Sequence, residues 1–108
     1  MQTGQISQKE EKQTKELVVL NRSGIHARVS TMIAQRCRGF VSEVRLRNGN
    51  AVADCRSVLD LLSLGASNGT TLLLEAIGED SSEVIEAISA LFAVRFNEDE
   101  ESTAPPPK

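Results

Sequence analysis

The pair Asn48-Gly49 lies inside EVRLRNGNAVAD, residues 43 to 54, where Val44 and Leu46 alternate with Arg45 and Arg47. A period of two marks a strand with one buried face. An Asn-Gly pair between two such runs is the strongest local hairpin signal, because both turn residues must accept positive φ. The segment is therefore expected to form two antiparallel strands turning at Asn48-Gly49, and the flanking segments must cover one face of the resulting sheet.

The flanks supply the remaining elements. ELVVLN, residues 16 to 21, is a short β-branched apolar run closed by Arg-Ser-Gly and reads as a first strand. From Val29 the period changes. Val29, Met32, Ile33 and Cys37 lie one helical turn or two apart, which predicts an amphipathic helix ending near Gly39. SVLDLLSLGA, residues 57 to 66, predicts a short helix with Val58, Leu61 and Leu62 on its apolar side and Gly65 as its left-handed exit. TTLLLEAIG, residues 70 to 78, is more continuously apolar and reads as a central strand. Residues 79 to 96 open on Asp80 and Glu83, a capping-box spacing, and carry Val84, Ile88, Leu91 and Phe92 at helical intervals. The order is βαββαβα. Such a chain packs its helices on one face of a four-stranded antiparallel sheet, an α+β fold.

Residues 1 to 15 are polar apart from Ile6, and residues 97 to 108 join an acidic run to three prolines. Neither holds enough apolar surface to offset the entropy of ordering, so both are expected to be disordered tails around one domain at residues 16 to 96. Only three of the 108 residues are aromatic, all Phe, so the core is aliphatic and stacking surfaces for bases or sugars are not expected. Residues 1 to 15 have no apolar stretch long enough for a secretory signal, and no run approaches a membrane span, so a cytoplasmic protein without membrane insertion is expected. Cys37 and Cys55 lack the spacing and companions of a metal set and read as free thiols.

The net charge of −3 is too mild for a nucleic-acid binder, but it is unevenly spread. Residues 22 to 56 carry seven Arg against Glu43 and Asp54, a net +5, whereas residues 57 to 108 carry ten acids against Arg95 and Lys108, a net −8. The basic part contains the single histidine, His26, and a positive field there favours an anion or an acidic partner. His26 stands just ahead of the first helix, where unpaired N–H groups and aligned peptide dipoles stabilise negative charge. Gly24 lets the chain turn into the helix, and Arg28 offers a planar fork suited to phosphate oxygens. A neutral imidazole is a nucleophile near pH 7, so transient phosphorylation of the ring suits this arrangement. No carboxylate lies within the motif to orient the ring for acid-base hydrolysis.

SGIHAR at residues 23 to 28, then an amphipathic helix, an Asn-Gly hairpin and RSVLDLLSLGA at residues 56 to 66, resembles the HPr family. These are the histidine-containing phosphocarriers of the phosphoenolpyruvate-dependent sugar phosphotransferase system. The resemblance spans roughly residues 16 to 95 and implies that family's open-faced β-sandwich, a four-stranded antiparallel sheet with three helices on one face. It implies a monomeric phosphoryl carrier without cofactor or metal, rather than a stand-alone enzyme. Such a carrier takes a phosphoryl group from Enzyme I and passes it to a sugar-specific or regulatory acceptor of the A type. By the resemblance, His26 is the phosphoryl acceptor, through Nδ1, and Arg28 stabilises the phosphoryl group. Ala27 and Val29 contribute helix N-terminal phosphate contacts, while Thr31, Arg56, Val58, Leu59 and Leu62 form the docking face. Ser57 matches the serine modified by an ATP-dependent HPr kinase/phosphorylase, and a phosphate there would discourage an acidic donor.

Two positions depart from the family pattern. Val29 stands where proline usually follows the motif arginine, and Asp60 where glycine is common. These departures and the tails suggest a divergent member. The alternative is a regulatory paralogue, nitrogen-type or switched at Ser57, that binds other proteins without serving sugar transport; the intact Gly-Ile-His-Ala-Arg core favours the carrier.

Overall fold

The computed structural model describes residues 11–98. The first strand, β1 (Lys12–Val18), precedes helix α1 (Ala27–Cys37), the hairpin strands β2 (Glu43–Asn48) and β3 (Ala51–Asp54), and helix α2 (Val58–Ser63). Strand β4 (Thr71–Ile77) and helix α3 (Ser81–Ala93) complete the series, followed by a single turn at Arg95–Asn97. The sheet order is β1-β4-β2-β3, antiparallel throughout, so β4 is an inner strand as its continuous apolar run predicts. This is the α+β open-faced sandwich expected from the element order.

One face of the sheet makes the core. Val44 and Leu46 of β2, Ala53 of β3, and Leu72, Leu74 and Ala76 of β4 are buried against Val29, Ile33 and Cys37 of α1, Leu61 of α2, and Val84, Ile88 and Phe92 of α3. The other face mixes charged side chains with partly exposed Val18, Val52, Leu73 and Ile77. There Glu75 of β4, itself buried, is ion-paired with Arg47 Nε at 3.0 Å and with Lys12 Nζ at 3.7 Å. Cys37 and Cys55 are free and buried. They are neighbours, and a hydrogen bond to Cys37 together with burial pushes the Cys55 thiol up.

Several boundaries differ from the sequence reading. Strand β1 begins at Lys12, inside the segment expected as a tail, because backbone pairing with β4 from Lys12↔Ile77 to Val18↔Thr71 does not require apolar side chains. At the other end Asn97 and Glu98, also expected in a tail, belong to the described structure; the rest of the expected tails, residues 1 to 10 and 99 to 108, lies outside the described residues. The hairpin turn is Gly49-Asn50 rather than Asn48-Gly49: Asn48 pairs with Ala51, and only Gly49 has positive φ, at 61°. Asn48 is held in the strand by its side chain, whose Nδ2 donates to the Leu64 carbonyl at 2.9 Å, beyond the end of α2. Asp80 occupies the N-cap position of α3 but makes no capping bond with its side chain. Its carboxylate instead accepts from the N–H groups of Val41 and Ser42, at 2.9 and 3.0 Å, and from the Ser42 hydroxyl, tying the α1–β2 connection to α3.

The last helix ends at Ala93, short of Phe96. Arg95, Phe96 and Asn97 have φ of 56°, 52° and 62°, a left-handed excursion that costs about 1–2 kcal/mol per residue for side chains with a Cβ. The reversal drives Phe96 fully into the core, its ring edge-on to Phe92 with centroids 4.9 Å apart. Burying a phenyl side chain contributes about 2–3 kcal/mol, which offsets much of that cost. It also sends the chain back across the entrance to α1.

Candidate functional site

Gly24 fixes how the chain enters α1. Its φ is +72°, and a Cβ there would lie 2.6 Å from the Ala66 carbonyl oxygen and 2.8 Å from Ser67 Cα. Conformation and space both require glycine. The close approach lets the Ile25 N–H donate to the Ala66 carbonyl at 3.0 Å. On the other side, fully buried Asn21 donates through Nδ2 to the Gly24 carbonyl at 2.7 Å. The Asn21 carbonyl accepts in turn from Asn68 Nδ2 at 3.2 Å.

This fixed loop delivers His26 to the N-cap position of α1 in extended conformation, φ −112° and ψ −171°. The side chain is 35% exposed and makes no capping bond. The first bond of the helix runs from the Ser30 N–H to the His26 carbonyl, 2.8 Å, so the N–H groups of Ala27, Arg28 and Val29 have no carbonyl partner within the helix. No acidic side chain occupies the first turn. The entrance thus keeps its positive partial charge beside an accessible imidazole.

Arg28 is exposed, and its Nη1 donates to the Phe96 carbonyl at 3.1 Å and approaches Met32 Sδ at 3.4 Å. The guanidinium is therefore tethered to the turn that follows α3. Val29, where proline is expected, is wholly buried in the core. Its side chain serves packing, and any phosphate contact from this residue is through the main chain.

A carboxylate that the sequence reading did not place completes the site. Glu98 Oε1 accepts from Asn21 Nδ2 at 2.8 Å and from the Ser23 N–H at 3.3 Å, and lies 4.0 Å from His26 Nε2. Hydrogen bonding from Ser23, then from Asn21, holds its carboxyl below the usual range. The ring therefore does have a nearby carboxylate, supplied from outside the motif. The one clue in the sequence is Phe96, a rare aromatic immediately ahead of the acidic run.

The second motif is built differently. Ser57 is the N-cap of α2, and its hydroxyl accepts from the Asp60 N–H at 3.2 Å. The Asp60 carboxylate accepts from the Asp54 N–H at 3.1 Å, and the Asp54 carboxylate from the Arg56 N–H at 2.9 Å. Arg56, expected on the docking face, turns its guanidinium onto the carbonyls of Ser42 and Cys37, each at 3.0 Å, and onto that of Phe40. It is committed to the α1–β2 connection, where it donates to the carbonyl of Cys37 at the end of α1 and to those of Phe40 and Ser42 beyond it. Of the other expected docking residues, Thr31, Leu59 and Leu62 are exposed and Val58 is half-buried. Leu61 alone of α2 is fully buried, so Leu62, expected on the apolar side, is surface. Among the described residues no group of three or more His, Cys, Asp or Glu side chains is placed to hold a metal ion.

Comparison with known proteins agrees with this arrangement. The model of the PTS HPr component phosphorylation site family matches residues 13–94. Phosphocarrier protein HPr of Cupriavidus necator is 39% identical over 87 residues, which cover 80% of this chain and 97% of that protein. Phosphocarrier protein NPr of Escherichia coli K12 is 38% identical over 89 residues, covering 82% and 97%. Among solved structures, that of HPr-C-His from Thermoanaerobacter tengcongensis matches with a TM-score of 0.76 at 29% identity, covering 80% of this chain and 97% of that one. In sequence and in fold, the chain belongs to the HPr family of phosphotransferase-system phosphocarriers.

Proposed function

We propose that His26 is the residue that carries the phosphoryl group, received from Enzyme I and passed to an acceptor protein of the A type. The observation that carries this reading is the uncapped entrance of α1: an imidazole sits at the N-cap without using the helix's free N–H groups. Those of Ala27 and Val29 are suited to phosphoryl oxygens, and a helix N-terminus supplies both the donors and the field. The lone pair of Nδ1 attacks phosphorus, an N–P bond forms, and the bond to the donor breaks with its electron pair left on the donor. Arg28, two residues on in α1, carries a guanidinium suited to the arriving oxygens; one of its N–H groups is bonded to the Phe96 carbonyl. Exposed Leu59 and Leu62 on α2 and Thr31 on α1 are available to a partner, with the exposed carboxylate of Asp60 between the two leucines.

Incubation with phosphoenolpyruvate and Enzyme I tests the proposal. The expected product is an acid-labile, base-stable phosphate absent from His26→Ala. No label in the wild type, or label persisting in the variant, refutes it. The identities to HPr and to NPr relatives are 39% and 38%, so sequence does not separate a sugar-specific from a regulatory acceptor. Transfer from the phosphorylated protein to acceptors of each kind does.

Regulation through Ser57 meets an electrostatic obstacle. A phosphoryl group there would stand in one turn with the carboxylates of Asp54 and Asp60, against the benefit of a helix N-terminus. An alkali-sensitive phosphoester formed with HPr kinase and ATP, and missing from Ser57→Ala, would establish the switch; its absence leaves Ser57 as a cap.

A further inference from the structure

We propose that Glu98 is a positioning residue for His26: it fixes the ring tautomer and stabilises the charge that develops on the ring during transfer. This rests on the carrier reading of His26. The geometry is specific. Glu98 Oε1 is held by Asn21 Nδ2 and the Ser23 N–H and stands 4.0 Å from Nε2, and the carboxylate side chain is only 13% exposed. Asn21 is itself buried and bonded to Gly24, so the carboxylate is anchored to the same loop that places the imidazole.

An anion beside Nε2 favours the tautomer with its proton there, which leaves the Nδ1 lone pair free to attack. When Nδ1 bonds to phosphorus and the proton stays on Nε2, the ring becomes a cation. Glu98 compensates that charge, and Arg28 of α1 compensates the phosphoryl oxygens. In the reverse direction the electron pair of the breaking N–P bond returns to Nδ1, with the proton still on Nε2. At 4.0 Å and partly in solvent the effect is modest: loss of the carboxylate should slow phosphoryl acceptance by about 3- to 10-fold.

The test uses the full chain with ¹⁵N-labelled histidine at about pH 8.5, roughly two units above the ordinary imidazole value. The wild type should show Nε2–H as the dominant form. Glu98→Gln, which keeps size and polarity, should move the Nδ1 and Nε2 shifts towards a mixed population and slow transfer, and Glu98→Asp should fall between the two. An unchanged tautomer ratio in Glu98→Gln overturns the proposal, as does slowed transfer with the ratio unchanged, which would make Glu98 a docking charge. If the wild type accepts no phosphoryl group the carrier reading falls by itself, while the ring spectrum still reports whether Glu98 sets the tautomer.

Discussion

Two helix entrances in this molecule receive opposite treatment. Ser57 caps α2 with its own hydroxyl on the Asp60 N–H, and the carboxylates of Asp60 and Asp54 accept from the N–H groups of Asp54 and Arg56 just ahead of the helix, so that end is held by residues within six positions of one another. His26 caps nothing. The entrance of α1 is open, and what holds it comes from far along the chain: Ala66 against Gly24, the Phe96 carbonyl on Arg28, and Glu98 on Asn21 and Ser23. A helix end capped by its own side chain is held locally and has one donor fewer to offer a ligand. An open one keeps free donors for a ligand but must be supported from elsewhere.

The contrast is broken most severely at its remote support. Phe96→Ala removes a fully buried ring and its contact with Phe92, and should cost about 3–5 kcal/mol in urea unfolding. It should also release the left-handed turn and with it Glu98, so the His26 ring resonances should move although His26 is untouched. If they stay in place, the α1 entrance does not depend on the C-terminal turn.

Gly24→Ala attacks the near support. The strain of φ +72° and a Cβ 2.6 Å from a carbonyl oxygen should together cost about 2–3 kcal/mol. Loss of stability by less than ~1 kcal/mol would mean that the loop at residues 66 to 67 shifts freely. At the closed end the expected change is smaller: Ser57→Ala removes one capping bond and should cost about 1 kcal/mol, with no effect on the His26 ring.

A third entrance, that of α3, sharpens the comparison through pH. Hydrogen bonds from the Ser42 hydroxyl and then from the Val41 and Ser42 N–H groups hold the Asp80 carboxyl below its ordinary value. A carboxyl with a depressed folded-state value contributes stability that is complete above its ordinary value, near pH 4, and lost as pH falls through the folded value. Wild type should therefore be slightly more stable than Asp80→Asn at pH 7, and the two should converge in acid unfolding as pH falls below the ordinary carboxyl range. A difference constant from pH 7 to pH 2 would show that the bonds to Ser42 do not need the charge.

How much of this could be read from the chain follows the range of the interactions. The element order, the inner position of β4 and the helical stripe of Val29, Ile33 and Cys37 were legible because periodicity is a local record of which face is buried. His26, Gly24 and Arg28 were legible as a motif because they are close in sequence. Glu98 was not: an acidic run with few apolar residues carries the composition of a tail, and only the burial of Phe96 brings it to the ring. Arg56 misled for a related reason, since its carbonyl partners lie on a loop whose path no pattern in the sequence describes. Asp80 and Asn48 have the right residue types for a cap and a turn, yet each turns its side chain to a neighbouring segment that offers better-placed partners.

The smallest expected effect is the most direct test of why a histidine stands at an N-cap at all. His26 has the extended backbone of an ordinary cap, φ −112° and ψ −171°, with no side-chain bond to the helix. His26→Ser places a hydroxyl where it can accept from the N–H of Val29, and should raise stability by about 0.5–1 kcal/mol. The loss of the imidazole's contact with Glu98 at 4.0 Å subtracts little, because ion pairs at that distance and exposure are weak. The same variant should accept no phosphoryl group. Together with Ser57→Ala, which loses stability on removing a cap, it forms a reciprocal pair: one entrance is stabilised by gaining what the other loses. A His26→Ser variant less stable than wild type would mean that the imidazole already supports the helix, and that the free donors of α1 are not reserved for a ligand.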